Sequence, residues 1–227
     1  MRLLQLTDSI NALRINGIST DGILSDNRNN ASDLNITSIH YRSNEVRPGG
    51  MFFAIKGQQT DGHQYIRDAV SKGAAAVVVD AEQTVNDLDA LDAVVVSVKD
   101  TRKALAGASS VFYNNPSEKL YLIGITGTNG KTTTAYLVEH LLLENNIDVG
   151  VISTINYRYH GKVYDNPLTT PESLELQKIL AEMADGGKNL LAKREATRKH
   201  PIEVTGEKLR SMMPWIKTNK IVDKSKN

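Results

Sequence analysis

The chain has no cysteine, which excludes disulfides, thiolate metal sites and a cysteine nucleophile. It has no apolar stretch approaching the roughly 20 residues of a membrane-spanning helix. Its first segment, Met1 to Leu13, carries too short an apolar run and no small-residue cleavage site, so no signal peptide is expected there. Nor is there an excess of either charge: 27 Lys and Arg stand against 26 Asp and Glu, so the whole chain gives no electrostatic hint of a nucleic-acid or membrane partner. No internal repeat is visible. These absences fit a cytoplasmic protein. What is present is 227 residues, 40% of them hydrophobic, enough for one large or two small domains.

The stretch that organises the chain runs from Leu120 to Leu142, LYLIGITGTNGKTTTAYLVEHLL. An apolar run, Leu120 to Ile125, reads as a strand. A glycine turn follows, Thr126 to Lys131, and then a helix with Ala135, Leu137, Val138, Leu141 and Leu142 as its apolar stripe. Strand, glycine loop and helix in that order form a phosphate cradle. N–H groups from Gly127, Thr128, Asn129 and Gly130 to Thr133 point at one place, and the helix dipole favours an anion there. Gly127 and Gly130 let the backbone approach phosphate oxygens where a Cβ would intrude. Lys131 is placed to reach the β- and γ-phosphates and the Thr132 hydroxyl to ligate Mg²⁺, which makes these two the candidate catalytic groups. The strict phosphate-loop pattern needs a glycine five residues before Gly130, where Ile125 stands. The alternative is a glycine turn before an ordinary helix whose lysine is solvated. The apolar strand, the two glycines, the lysine followed by three threonines and the helix behind them favour a nucleoside triphosphate site.

Before this stretch, residues 1–14 read as a helix and 25–33 as a polar loop. Ile36 to Tyr41 and Met51 to Ile55 read as strands separated by the turn Arg47-Pro48-Gly49-Gly50. A helix from Gln64 to Lys72 is followed by two apolar runs, Ala74 to Val79 and Val94 to Val98, of the kind expected in a sheet covered on both faces. Asp100 is a candidate N-cap for a helix reaching Tyr113. After the glycine loop come a strand, Ile147 to Ser153, and a hairpin from Tyr157 to Tyr164 turning at His160-Gly161-Lys162. A helix capped by Thr170 then runs to Ala184, with Gly186-Gly187 as its expected stop.

These residues also carry a family resemblance. GITGTNGKTTTAYLVEHLL resembles the ATP loop of the Mur ligases, ATP-dependent amide-bond ligases of peptidoglycan assembly. Within them it is most similar to the tripeptide-synthetase branch, which adds the third amino acid to the UDP-linked stem peptide. Cyanophycin synthetase and folylpolyglutamate synthetase carry related loops. The segment ITSIHYRSNEVRPGGMFFAIKGQQTDGHQYIRDAVSKGAAAVVV resembles a UDP-binding N-terminal domain of that family. Where the family usually has Asp-Ser-Arg, this chain has Arg42-Ser43-Asn44. The serine is the position that touches the nucleotide-sugar in the family, so the resemblance implies that contact for Ser43. Read alone, Ser43 is a turn serine, and His63 after Asp61-Gly62 satisfies loop backbone groups. TTPESLELQ resembles the tripeptide branch too, in which Thr-Thr-Pro contacts the muramoyl-peptide. Thr169 and Thr170 carry that implication beside a capping role.

The likeness runs from Met1 to Gly187. Beyond it, residues 188–227 hold eleven Lys and Arg against four Asp and Glu, a net of +7, while the first 187 hold 16 against 22, a net of −6. The expected organisation is an N-terminal UDP-sugar-binding domain at 1–115, part of a central ATP-binding domain at 116–187, and a basic tail of no recognised family at 188–227. The fold class is α/β: a small α/β domain followed by an incomplete phosphate-loop doubly wound domain. With two strands and a hairpin, that second domain is expected to leave the apolar faces of its two helices bare.

The resemblance implies a cytoplasmic, monomeric ligase with neither nucleic acid nor membrane as partner. It would use ATP and Mg²⁺ to add diaminopimelate or lysine to UDP-N-acetylmuramoyl-L-alanyl-D-glutamate. A metal-binding glutamate, a Ser-Ser-His motif, a carbamylated lysine and an amino-acid-binding domain belong to that family pattern and are not recognised here. The expectation is therefore of a truncated and inactive ligase. One alternative is a non-catalytic module that binds the UDP-muramoyl-peptide or a nucleotide. Another is a simple phosphate-loop hydrolase, which needs an aspartate after an apolar strand; Val77-Val78-Val79-Asp80 has that shape.

Overall fold

The computed structural model describes residues 1–12, 14–15, 18–19, 34–57, 60–82, 91–126, 129–165, 171–191, 201–205 and 220–223. The chain separates into two compact units, Met1–Phe112 and Tyr113–Asn227. No helix among the described residues is long and apolar enough to cross a membrane.

The first unit contains α1 (Leu3–Ser9), β1 (Arg14–Ile15), β2 (Ile18–Ser19), β3 (Ser38–His40), β4 (Gly50–Phe53), α2 (Ile66–Ser71), β5 (Ala74–Asp80), β6 (Val94–Val98) and α3 (Thr101–Phe112). Its sheet order is β2-β1-β6-β5-β4-β3, with β3 to β6 parallel and β1 antiparallel to β6. Phe52, Ala54, Val77, Val79 and Val95 pack with Ile66 and Ala69 of α2 in one apolar cluster. The Val-rich runs form central strands because β-branched side chains suit a pleated surface buried on both faces. Asp100 caps α3: its Oδ1 accepts from the N–H groups of Arg102 at 3.1 Å and Lys103 at 3.0 Å. The helix read over residues 1–14 is shorter, ending at Ser9. Asn11 takes a left-handed φ of 50°, which stops the helix and turns the chain into the hairpin β1–β2.

The second unit contains β7 (Tyr121–Thr126), α4 (Lys131–Glu144), β8 (Gly150–Ile152), β9 (Asn156–Tyr159), β10 (Lys162–Asp165), α5 (Ser173–Leu191), β11 (Pro201–Thr205) and β12 (Lys220–Asp223). Its sheet order is β10-β9-β8-β11-β7-β12; β8, β11, β7 and β12 are parallel and the β9–β10 hairpin is antiparallel. Alternation along β7 serves both faces. Leu122 joins Leu120, Ile152, Tyr157 and Tyr159 under Leu176, Leu180 and Met183 of α5. Ile123 and Ile125 join Val151 against Ala135 of α4.

Three expectations change here. The sheet is not limited to two strands and a hairpin: β11 lies between β7 and β8, and β12 lies on the far side of β7. Pro201 is the first residue of β11, the strand position where a missing N–H costs least. The helix after Pro171 runs through Gly186-Gly187 to Leu191, because neither glycine adopts the left-handed conformation that ends a helix. Finally, α5 is not bare, since Leu176, Leu180 and Met183 are buried. It is α4 that leaves apolar surface uncovered, with Leu137 60% and Leu141 63% exposed.

Candidate functional site

The strand, glycine loop and helix read from the sequence are present in that order. β7 ends at Thr126, and α4 begins at Lys131. Gly127 and Thr128 lie outside the described residues. Gly130 is the residue before the helix, at φ 74° and ψ 4°, a left-handed conformation that glycine adopts without strain. Its carbonyl accepts the Thr134 N–H at 2.9 Å and the Thr134 hydroxyl at 2.8 Å, so the third threonine after Lys131 locks the first turn. Asn129, Gly130 and Thr133 are exposed, and Lys131 and Thr132 half-buried. The first turn of an α-helix leaves N–H groups that the helix itself does not use, and an anion stabilises them. Among the described residues no three His, Asp or Glu converge as a metal site. Thr132 carries a hydroxyl at this helix end, a hard oxygen of the kind Mg²⁺ takes alongside phosphate oxygens.

The far half of α4 is fastened to the hairpin. Arg158 of β9 donates from Nε to Glu139 Oε1 at 3.0 Å and from Nη2 to Glu139 Oε2 at 2.6 Å. Its Nη1 donates to the Tyr136 hydroxyl at 3.0 Å and to Asn156 Oδ1, and its guanidinium lies 4.2 Å from the Tyr136 ring centre. The hydrogen bonds to Glu139 outweigh burial and push the Arg158 pKa up, so the guanidinium stays charged.

In the first unit, Ser43 follows the end of β3 and opens a 3₁₀ turn, Ser43–Glu45. Arg42 pairs with Glu45 at 3.1 Å and lies over the Tyr41 ring at 5.3 Å. Lys72 reaches the Asp68 Oδ2 at 2.7 Å. Lys72 holds the Asp68 carboxyl below the usual carboxylate range. His63 is buried, and its ring is fully engaged. Nδ1 donates to Asp61 Oδ1 at 2.6 Å, and Nε2 accepts the Asp80 N–H at 3.1 Å, which fixes the tautomer. It satisfies loop backbone, as its place in the sequence suggests. Burial pushes Asp61 up, but the hydrogen bonds from the His63 N–H and ring prevail and leave its pKa lowered.

Thr169 and Thr170 lie outside the described residues. Pro171 is buried, and the Glu172 carbonyl accepts the Leu176 N–H at 3.0 Å in the first turn of α5. The Ser173 hydroxyl is buried without a hydrogen-bond partner. The structure thus brings Asn129 to Thr133 together at one helix end and sets Ser43 at a sheet edge of the other unit.

Residues 35–113 match the Mur ligase family catalytic domain, and residues 125–211 match the Mur ligase middle domain. The chain belongs to the Mur ligase family. The middle-domain match extends past Gly187, where the likeness read from the sequence ends. Mur ligases are ATP-dependent amide-bond ligases. UDP-N-acetylmuramoyl-L-alanyl-D-glutamate--2,6-diaminopimelate ligase of Alkaliphilus metalliredigens is 40% identical over 186 residues, 82% of this chain and 34% of that protein. The ligase of the same name from Aquifex aeolicus is 45% identical over 158 residues, 69% of this chain and 32% of its own length. The chain spans about a third of the length of these curated relatives. A solved ligase structure of that name superposes with a TM-score of 0.69 at 18% identity, over 98% of this chain and 40% of its own. A D-alanyl-D-alanyl-adding ligase from Acinetobacter baumannii gives 0.55 at 16% identity, over 98% and 41%. These likenesses show the α/β Mur ligase fold.

Asp223 escaped the sequence reading of this Mur ligase chain. It ends β12 opposite Thr126, the last residue of β7. Its signal was the short run Ile221-Val222-Asp223, one residue shorter than the Val77 to Asp80 run.

Proposed function

We propose that this chain supplies the nucleotide-sugar-binding and ATP-binding parts of a ligase that joins diaminopimelate to UDP-N-acetylmuramoyl-L-alanyl-D-glutamate in peptidoglycan synthesis. One observation carries the reading: a left-handed glycine and then a lysine open a helix directly behind a parallel strand, in a chain 40–45% identical to ligases of that name. The names of those ligases favour diaminopimelate over lysine as the third amino acid.

In this reading the γ-phosphoryl of ATP passes to the free carboxylate of the UDP-linked dipeptide. The amine of the incoming amino acid attacks the acyl phosphate, forming the amide and releasing phosphate. The chemistry asks for positioning and charge neutralisation and needs no covalent protein nucleophile. Lys131 and the amides from Gly127 to Thr133 hold the β- and γ-phosphates. Thr132 is the chain's ligand for Mg²⁺, which when bound neutralises phosphate charge. Ser43 holds the nucleotide-sugar and Thr169 and Thr170 the muramoyl-peptide. The chain works as a monomer in the cytoplasm.

Calorimetric titration of the 227-residue chain tests this. ATP with Mg²⁺ and the UDP-linked dipeptide are each expected to bind. Lys131→Ala should weaken ATP about tenfold or more, the scale of a lost charge-assisted hydrogen bond, and leave the dipeptide unaffected. Failure of ATP to bind, or equal binding by Lys131→Ala, overturns the phosphate-loop assignment.

A further inference from the structure

The helix α5 carries the chain from the hairpin to the start of β11, a strand parallel to β8. Met183 packs on Gly150, the first residue of β8: a Cβ there would stand 2.9 Å from the Met183 Sδ. Ser173, the first residue of α5, precedes Met183 by ten positions, about 15 Å of helix. The first turn of α5 is therefore at the opposite edge, where the parallel strands end and the glycine loop leaves β7. Open α/β sheets receive ligands at that edge. Two oxygens at this helix end are buried and unused. Ser173 is 7% exposed and Gln177 2%. They are one turn apart, on the side of α5 that also buries Leu176 and Leu180. Among the described residues, neither the Ser173 Oγ nor the Gln177 Oε1 has a hydrogen-bond partner. An unpaired buried polar atom costs stability, so two on one face of a helix end point to a group that comes from outside. A serine hydroxyl can donate, whereas a glutamine Oε1 only accepts. A carboxylate or phosphate would satisfy Ser173 and leave the Gln177 oxygen bare. A secondary amide answers both, and carboxylates beside it suit the N–H groups of the first helical turn.

We infer that Ser173 and Gln177 bind an amide of the L-alanyl-D-glutamate arm, its carbonyl accepting from the Ser173 hydroxyl and its N–H donating to the Gln177 Oε1. The inference rests on the proposal that the chain binds the muramoyl-peptide. It adds two residues to Thr169 and Thr170 and names the group they read. Both oxygens destabilise the free chain and are satisfied only in the complex, so binding and stability should respond to their removal in opposite directions.

The test is titration of the full chain with UDP-N-acetylmuramoyl-L-alanyl-D-glutamate, beside the melting temperature of the free chain. Ser173→Ala and Gln177→Met are each expected to weaken binding about tenfold, the upper range for one hydrogen bond. ATP and UDP-N-acetylmuramic acid, which lack the dipeptide, should bind each variant as they bind the parent. Gln177→Met should raise the melting temperature by about 2–4 °C, because it removes an unpaired buried carbonyl and keeps the length of the side chain. Ser173→Ala should not lower it. A merely structural role would move stability and binding down together. If the variants bind the dipeptide ligand as the parent does, or lose UDP-N-acetylmuramic acid to the same extent, the inference falls and the proposed function stands. A lowered melting temperature in both variants would mean that the two oxygens already hold an ordered water, and the inference falls in that case too. If the parent chain does not bind the dipeptide ligand, both fall.

Discussion

Arg158 and Glu139 meet through two hydrogen bonds of 3.0 and 2.6 Å, with both side chains about one-seventh exposed, and so join the hairpin to the helix that follows the glycine loop. A pair this enclosed is costly to halve and cheaper to replace whole, because a lone buried charge keeps its desolvation penalty without its partner. Arg158→Met is expected to destabilise the second unit by roughly 2–4 kcal/mol. Arg158→Met combined with Glu139→Leu should cost less than the single change. Urea unfolding followed by hydrogen exchange on α4 and β9 gives the comparison; an equal or larger loss in the double variant would refute it.

The acid limb of stability should come partly from Asp61 and Asp100. Burial opposes ionisation of each. Hydrogen bonds from His63 at Asp61, and from the Lys103 N–H and side chain at Asp100, prevail and lower both pKa values. A carboxylate whose pKa is depressed in the folded state stabilises above its unfolded pKa, and that contribution is lost as pH falls through the folded value. The melting temperature of the first unit should hold from neutral pH to about pH 5 and fall below about pH 4. Asp61→Asn should flatten that fall; an unchanged profile would count against the role given to His63.

Gly62→Ala should be among the most damaging small changes in the first unit. A Cβ at Gly62 would stand 2.6 Å from the Ile55 nitrogen and 2.7 Å from its oxygen, both backbone atoms that no rotamer change can move. The Gly62 N–H also donates to the Ile55 carbonyl at 2.9 Å. The expected loss is about 2–3 kcal/mol by chemical denaturation, the scale of overpacking in a tight interior. A variant as stable as the parent would show that this turn can open freely.

Leu137 and Leu141 are one helical turn apart and mostly exposed. The full chain is expected to bind a hydrophobic dye and to associate with rising concentration. Leu137→Gln with Leu141→Gln should reduce both and leave the melting temperature within about 2 °C, since surface changes alter stability little. Undiminished dye binding would place the apolar surface elsewhere.

Elements whose signal is local were legible in the sequence. The valine runs of β5 and β6, the Asp100 cap, the turn at His160-Gly161 and the strand before the glycine loop each declare themselves within a few residues. Elements made by distant pairing were not. β1 and β2 are two residues each; β1 exists because β6 accepts it, and β2 because it pairs with β1. β11 takes its place from neighbours on both sides, not from its own composition. Facing was also hidden for α4. The residues read as one apolar stripe do not share a face, since Ala135 is buried whereas Leu137 and Leu141 are exposed. The strand and helix on either side of the glycine loop could be read from spacing, but Ser43 was singled out only through family likeness.

The position of β11 also sets an order on synthesis. β7 and β8 are not neighbours; the lane between them is filled by residues 201–205. As the chain leaves the ribosome, the strand before the glycine loop emerges with neither of its final partners made. At 5–20 residues per second that wait lasts roughly 4–15 s, far longer than a helix or hairpin takes to form. During it, two apolar strands present open backbone edges to the cell. The nascent second unit is thus a natural client for chaperones, while the first, whose strands are complete by Val98, can close while translation continues.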